Sequence, residues 1–229
     1  MPNSDEKEST ITLDAANNRL FATNPIHRIY QGWGENAGFA GHYVLTWKDR
    51  LVDSRITDSI AYLTFEIPEG RSLIVKAASS FTDEKGAWKN LQAEIPHWDF
   101  LKVRMQLNET WLQHLSKLQA ESTDISSLHQ FYGSFYRASF LPHEFNDVDG
   151  RYPKFAGSGE IYSLSSHKQY MDFSMWDTYR AIHPLLNIIS PTKSGEMMQS
   201  LVRMYEQGGW LPIFPCWNNY TAEIGRAHV

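Results

Sequence analysis

Cysteine is almost absent. The single Cys216 in 229 residues excludes an intrachain disulfide and any cysteine-based zinc cluster. There is no basic excess either: 21 Lys and Arg against 26 Asp and Glu leave a net charge of −5, so no nucleic acid is expected as a partner. No apolar run nears the roughly 20 residues that cross a bilayer. Met1–Leu20 is polar and lacks the apolar centre of a leader, so no membrane segment is read in this chain. The histidines form no His-Glu-x-x-His pattern, and the phosphate-cradling and dinucleotide glycine loops are missing. Gly157-Ser158-Gly159 reads as a flexible loop, not as the elbow of a serine hydrolase.

Aromatic side chains are plentiful, with 8 Trp, 11 Tyr and 12 Phe, and their flat faces suit both a core and the apolar faces of sugar rings. The opening third reads as antiparallel strands. Ile11 and Leu13 alternate with threonine, Leu20 and Ala22 flank Phe21, and Ser59–Ile67 places Ala61, Leu63, Phe65 and Ile67 on one face. Gly32, Gly34, Gly38 and Gly41 predict a loop before a strand at Tyr43–Trp47, and Glu69-Gly70 a turn before a strand at Ser72–Ala78. The period changes near Ser80. A short helix is expected at Asp83–Ala93, and an amphipathic one carries Val103, Leu107, Trp111, Leu115 and Leu118. A third helix, capped by Ser122 or Thr123, bears the stripe Leu128 to Tyr136 and ends by Pro142. Residues 143–170 read as loop. Two more helices follow, Ser174–Ile188 and Pro191–Gln207, the second with Ser190 as N-cap and Gly208 just past its end. Strands followed by helices predict an α+β chain with two domains joined near residue 100.

Two constellations suggest chemistry. Asp147-Val148-Asp149-Gly150 begins like a calcium loop but lacks the later ligands, so a turn with aspartates bonded to their own backbone is expected. Tyr170–Arg180 gathers Asp172, Trp176, Asp177 and Arg180 at a helix start, where Asp172 or Ser174 can cap. Carboxylate and guanidinium would bind sugar hydroxyls while the indole stacks. The structural alternative has Asp172 capping, Trp176 in the core and Asp177 paired with Arg180. A second aromatic stretch, Gly208–Tyr220, holds prolines that keep it a rigid loop.

These stretches also carry a resemblance. Tyr170–Leu186, Ser200–Pro215 with its Gly208-Gly209-Trp210-Leu211-Pro212, and Phe145–Tyr152 are similar to glycoside hydrolase family 92, the calcium-dependent exo-α-mannosidases. Ser80-Phe81-Thr82 with Asn90–Pro96, and Tyr30-Gln31-Gly32 with Ala37-Gly38-Phe39, extend the similarity over nearly all of residues 20–222.

The resemblance implies part of an N-terminal antiparallel β-sandwich over residues 1–99, a linker helix over 100–122 and the first helices of an (α/α)6 barrel over 123–222. It implies inverting, calcium-assisted hydrolysis of terminal mannose from the N-glycans of glycoproteins, in glycan catabolism. The chain would then be an internal fragment, inactive alone. The general acid Glu, the general base Asp and most calcium ligands would lie past its C-terminus, so no catalytic or metal-binding residue is assigned here. The substrate-binding candidates are Trp176 and Asp177, followed by Trp210 and Asn219, with Asp172 and Arg180 supporting the helix start. The stripes Leu128–Tyr136 and Met197–Tyr205 would face water in the isolated chain. Export to the periplasm or outside the cell is implied, with the cytosol as the alternative. A non-catalytic carbohydrate-binding protein and another glycosidase on the same barrel remain alternative readings. Residues 223–229, Glu-Ile-Gly-Arg-Ala-His-Val, read as a non-native tail. One reverse translation matches a sequencing-adapter oligonucleotide, apart from its first base, in frame with a stop codon.

Overall fold

Threonines alternating with apolar residues build the first strand pair. In the computed structural model, which describes residues 9–28, 35–57, 60–157 and 159–220, β1 (Thr10–Asp14) pairs antiparallel with β2 (Arg19–Arg28). The polar start at Asp5–Glu8, the Tyr30–Gly34 stretch, Ser59, Ser158 and the tail 223–229 lie outside the described residues. β2 pairs in turn with β3 (Glu35–Trp47), and the register slips between Pro25 and His27, where proline has no N–H to give the ladder. β4 (Arg50–Ile56) and β5 (Ala61–Glu66) form a separate hairpin, joined to the sheet by an edge-on contact of Trp47 and Phe65 at 5.4 Å. As expected, Ala61, Leu63 and Phe65 are the more covered face of β5. β6 (Val75–Ser80) completes a sheet of order β1-β2-β3-β6.

Gly38 and Gly41 do not form a loop; both lie inside β3. Gly38 has φ +86°, and a Cβ there would sit 2.6 Å from the backbone of Gly157, so the glycine serves a close crossing of two chains.

Helix α1 (Glu84–Glu94) begins where Asp83 accepts the Gly86 N–H at 2.6 Å, and it lays Ala87 and Leu91 on Val44 of the sheet. Helix α2 (Phe100–Leu115) meets α3 (Ile125–Ala138) through Trp111 and Tyr136, 4.4 Å apart. The cap of α3 is Asp124, not Ser122 or Thr123: its carboxylate accepts the Ser126 N–H, and the Ser122 hydroxyl accepts the N–H of Asp124 instead. The stretch expected as loop contains short ribbons. β7 (His143–Glu144), β8 (Arg151–Pro153), β9 (Ile161–Ser163) and β10 (Tyr170–Met171) pair as β7–β10 and β8–β9.

The expected helix 174–188 is broken into α4 (Met175–Thr178) and α5 (Ile182–Ile189). Pro184 explains the break. In a continuous helix its ring would meet the carbonyl of Arg180 and leave that carbonyl unbonded, whereas in the first turn of α5 its missing N–H costs nothing. α6 (Pro191–Gly208) starts at Pro191 as expected, but Ser190 makes no side-chain cap bond and its hydroxyl accepts from Lys117 at 2.6 Å. The residue past its end is Gly209, at φ +89°, one position later than expected. β11 (Pro215–Cys216) and β12 (Asn219–Tyr220) close the described chain.

The main core gathers Phe145, Tyr152, Tyr170 and Phe173 against Met197, Leu201 and Met204 of α6. Of the stripe Met197–Tyr205, Met197, Leu201 and Met204 are covered, contrary to expectation, while Met198, Val202 and Tyr205 are exposed; on α3 Phe135 is buried while Phe131 and Tyr136 are exposed.

The turn at 147–150 ties the sheet to the helical half. Asp149 behaves partly as expected, accepting the Arg151 N–H at 3.4 Å. Asp147 does not. It is buried and accepts from Ser80 Oγ at 2.8 Å, Thr82 Oγ1 at 2.5 Å and Asn90 Nδ2 at 2.8 Å. Arg151 adds two bonds to Asp83, at 2.7 and 3.2 Å, which hold the Asp83 carboxyl below its usual range. A depressed folded value stabilises above the unfolded value and is lost as pH falls through the folded one. The unfolding midpoint is therefore expected to fall once pH drops below about 4, and less steeply in Asp83→Asn, as acid-titrated thermal unfolding would read.

Candidate functional site

Three short elements converge near Trp176 and Asp177. The first is the α4 turn. Its N-cap Ser174 makes no side-chain cap bond; instead its hydroxyl donates to Asp177 Oδ2 at 2.7 Å. Trp176 is 60% exposed and Asp177 is also exposed, so the alternative with Trp176 in the core is set aside. Among the described residues Asp177 and Arg180 form no ion pair, and Arg180 lies over the ring of Tyr179 at 5.4 Å. Among the described residues the Asp177 carboxylate takes one hydroxyl donor, so it can accept sugar hydroxyls while the exposed indole beside it stacks on the ring.

The second element is the loop after α6. Met175 donates its N–H to the Ile213 carbonyl at 3.1 Å, which joins the start of α4 to this loop. Trp210 is 68% exposed, and its backbone is gripped by Tyr220, whose hydroxyl accepts the Trp210 N–H at 2.9 Å and donates to its carbonyl at 2.7 Å. Asn219 is half-buried, with Oδ1 turned back to its neighbour's N–H at 2.8 Å. The fold therefore links Trp210 and Asn219 through Tyr220, and Trp176 and Asp177 to the same loop through Ile213.

Between β11 and β12, Trp217 and Asn218 both take left-handed backbone, φ 49° and 54°, as a two-residue hairpin turn of the right twist requires. Buried Asn218 donates to the carbonyls of Pro153 and Lys154 at 3.2 and 2.7 Å, fixing the hairpin to β8. Sequence reading missed Asn218 and Tyr220. The one available signal was an Asn-Asn pair after proline and tryptophan, since asparagine tolerates this backbone.

The third element is the bend between β10 and α4. Asp172 does not cap the helix. It has φ +59°, and its carboxylate pairs with His143 Nδ1 at 3.3 Å. Burial pushes its carboxyl up, against the pull of His143, and the half-buried Cys216 thiol is pushed up to about 12 by burial and then by the Asp172 charge. Left-handed backbone at a residue other than glycine costs on the order of 1–3 kcal/mol, and a half-exposed pair returns about 0–1 kcal/mol. Stability alone does not account for this bend. His143 was another residue that sequence reading did not single out.

A cleft of about 260 Å³ opens elsewhere, between β6, α1 and residues 144–147, and Trp176, Asp177, Trp210 and Asn219 do not line it. Its Asn90, Asn146 and Asp147 are already bonded within the fold. No three His, Cys, Asp or Glu side chains among the described residues are placed to hold a metal ion, and no helix among them is long and apolar enough to cross a membrane.

Comparison with known proteins adds identity to this geometry. Residues 86–228 match the glycosyl hydrolase family 92 catalytic domain. The chain is similar in structure to the family GH92 inverting mannosidase BT2199 of Bacteroides thetaiotaomicron VPI-5482, with TM-score 0.81 and 23% identity over 94% of this chain and 31% of that one. It is also similar to the family GH92 α-mannosidase BT3965 of Bacteroides thetaiotaomicron, with TM-score 0.78 and 23% identity over 93% and 30%. An uncharacterized secreted glycosidase of Arthroderma benhamiae is 29% identical over 127 residues, which are 52% of this chain and 15% of that protein. The chain thus spans less than a third of the length of these relatives.

Proposed function

The chain belongs to glycosyl hydrolase family 92, and from that premise we propose that it serves an exo-acting α-mannosidase that removes terminal mannose from the N-glycans of glycoproteins with inversion. In this reading the sheet is part of the family's β-sandwich, α2 the linker, and α3 to α6 the opening of an (α/α)6 barrel. The observation that carries the reading is the exposed pair Trp176 and Asp177 on a helix start anchored at Ile213. Asp177 accepts hydroxyl hydrogens of the terminal mannose and Trp176 packs against its ring. Trp210 and Asn219, held by the Tyr220 clamp, border the same sugar.

Inversion needs two carboxylates roughly 6.5–9.5 Å apart, one giving a proton to the leaving oxygen and one activating water. We assign that pair to segments outside this chain, because the paired or buried carboxylates here, Asp83, Asp147 and Asp149, are bonded to Arg151, Ser80, Thr82, Asn90 and Lys89. Calcium belongs to the proposal on the same terms. The described residues do not fit it: Asp147 and Asp149 are engaged by their neighbours, and no acidic cluster remains to hold a cation. We derive no step through it here. Export is supported by the secreted relative.

The test is release of mannose from α-linked mannosides by the longest natural protein that carries this sequence, with calcium and with a chelator, and with the anomer followed by NMR. Production of β-mannose that stops on chelation is the expected result. Sugar binding without release would favour a carbohydrate-binding protein, and release of a different sugar another glycosidase on this fold.

A further inference from the structure

Asp172 is out of place for a residue in its run. Tyr170, Met171 and Phe173 around it are buried in the main core, while its own carboxylate stays partly accessible and its backbone turns left-handed at φ +59°. It caps nothing, since the N-cap of α4 is Ser174. Its partner comes from across a ribbon: β7 pairs with β10 so that His143 stands opposite Met171, one residue before the bend, and His143 Nδ1 reaches Asp172 Oδ2 at 3.3 Å. Three residues past Asp172, α4 starts at Met175, which is tied to Ile213 at 3.1 Å. Beside the core packing of Phe173 and Met175, the α4 turn that carries Trp176 and Asp177 thus has a polar mooring on β7 and another on the loop after α6.

We propose that Asp172 and His143 form a positioning pair that sets the direction in which α4 presents Trp176 and Asp177 to the sugar. This rests on the reading of those two residues as a mannose-binding site. With a free carboxylate at the left-handed bend, α4 would keep only the Met175–Ile213 bond and the core packing of Phe173 and Met175, and its exposed end could swing. The imidazole, fixed by the β7–β10 pairing, takes that freedom away and holds the bend in its uncommon conformation. The pair acts through α4 and touches no reacting atom. Among the described residues, the groups that face Asp172 are His143 on β7 and the Cys216 thiol on β11, so the electrostatic state of the bend is set by His143 and by Asp172 itself.

The experiment uses the longest natural protein that carries this sequence and compares Asp172→Asn, Asp172→Gly, His143→Phe and the double variant Asp172→Asn/His143→Phe. Two readouts are taken on proteins whose circular dichroism matches wild type: hydrogen exchange of residues 175–178, and kcat/KM for an aryl α-mannoside across pH. We expect α4 amides to exchange about tenfold faster in every variant, with α6 unchanged, because only local opening is affected. We expect kcat/KM to fall about tenfold, mostly in kcat, since a small misalignment of a binding group weakens the transition state more than the ground state. Part of the acid-side fall of the wild-type profile should be missing from Asp172→Asn, which has no carboxylate to protonate. The double variant should be no worse than the poorer single within about twofold, as residues of one unit are not additive. Asp172→Gly keeps the backbone conformation without the carboxylate, so wild-type exchange and wild-type rate in that variant would overturn the proposal, as would multiplicative losses in the double variant. Faster α4 exchange in a protein that releases no mannose would uphold the positioning pair and discard the mannosidase reading, so the two fail separately.

Discussion

Asp147→Ala is expected to lower stability by about 3–5 kcal/mol, a large part of the roughly 5–15 kcal/mol that a folded protein has in all. The carboxylate is buried, and three donors end on it: Ser80 of β6, Thr82 of the following turn and Asn90 of α1. Alanine would leave the Ser80 and Thr82 hydroxyls with only each other and Asn90 Nδ2 with only the Ser79 carbonyl, and each buried polar group that loses its partner costs about 1–3 kcal/mol. Arg151 Nη2, 3.8 Å from the same carboxylate, would keep only its other partners Asp83 and Asp149. Urea unfolding would read the loss as an earlier midpoint. Asp147→Asn keeps the volume but turns an amide donor toward donors, so it should fall between wild type and alanine. A loss of under about 1 kcal/mol for alanine, the size of an ordinary surface change, would mean that the three bonds do not act as a unit.

Asp177→Ala should do the opposite: little to stability and much to activity. The side chain is exposed and its partner among the described residues is the Ser174 hydroxyl, so unfolding should shift by no more than about 0.5 kcal/mol. If the carboxylate accepts mannose hydroxyls, each charge-assisted bond is worth about 1.5–3 kcal/mol, so kcat/KM should fall by roughly ten- to a hundredfold. The measurement is steady-state turnover of an aryl α-mannoside by the longest natural protein that carries the sequence. A change under about tenfold at unchanged stability would remove Asp177 from the sugar contacts and leave Trp176 as a rim residue.

How much of this was legible in the sequence depended on how far apart the interacting residues are. Elements fixed by near neighbours were read well: α1 is displaced by one residue at each end from its expected span, and the alternation of β5 appears as half-buried and exposed faces. The α4–α5 break was local too, yet it was missed because the apolar period ran through Pro184 while the proline's steric veto was not applied. Asp147 was misread for a different reason. Its partners lie 57 to 67 residues away, and no window around an Asp-x-Asp-Gly turn contains them. Gly38 likewise reads as a loop glycine until Gly157 is laid against it. At the candidate site, the sequence offered Trp176 and Asp177 through residue type alone. The mooring residues His143, Asn218 and Tyr220 became visible only once the ribbons and the hairpin were paired.

Strand β3 has one more consequence. Near its end it gives Val44 to the cluster under α1, and near its start it gives Phe39 to the cluster around Phe145, with rings 5.7 Å apart. One continuous strand is therefore a wall of two cores. A cut near residue 100, where strands give way to helices, would not release two self-sufficient pieces: the first would carry Phe39 and Phe81 bare, and the second would lose the covering of Phe145. The change of secondary-structure type along the chain is a boundary of composition, and the packing of Phe39 and Phe81 on Phe145 crosses it.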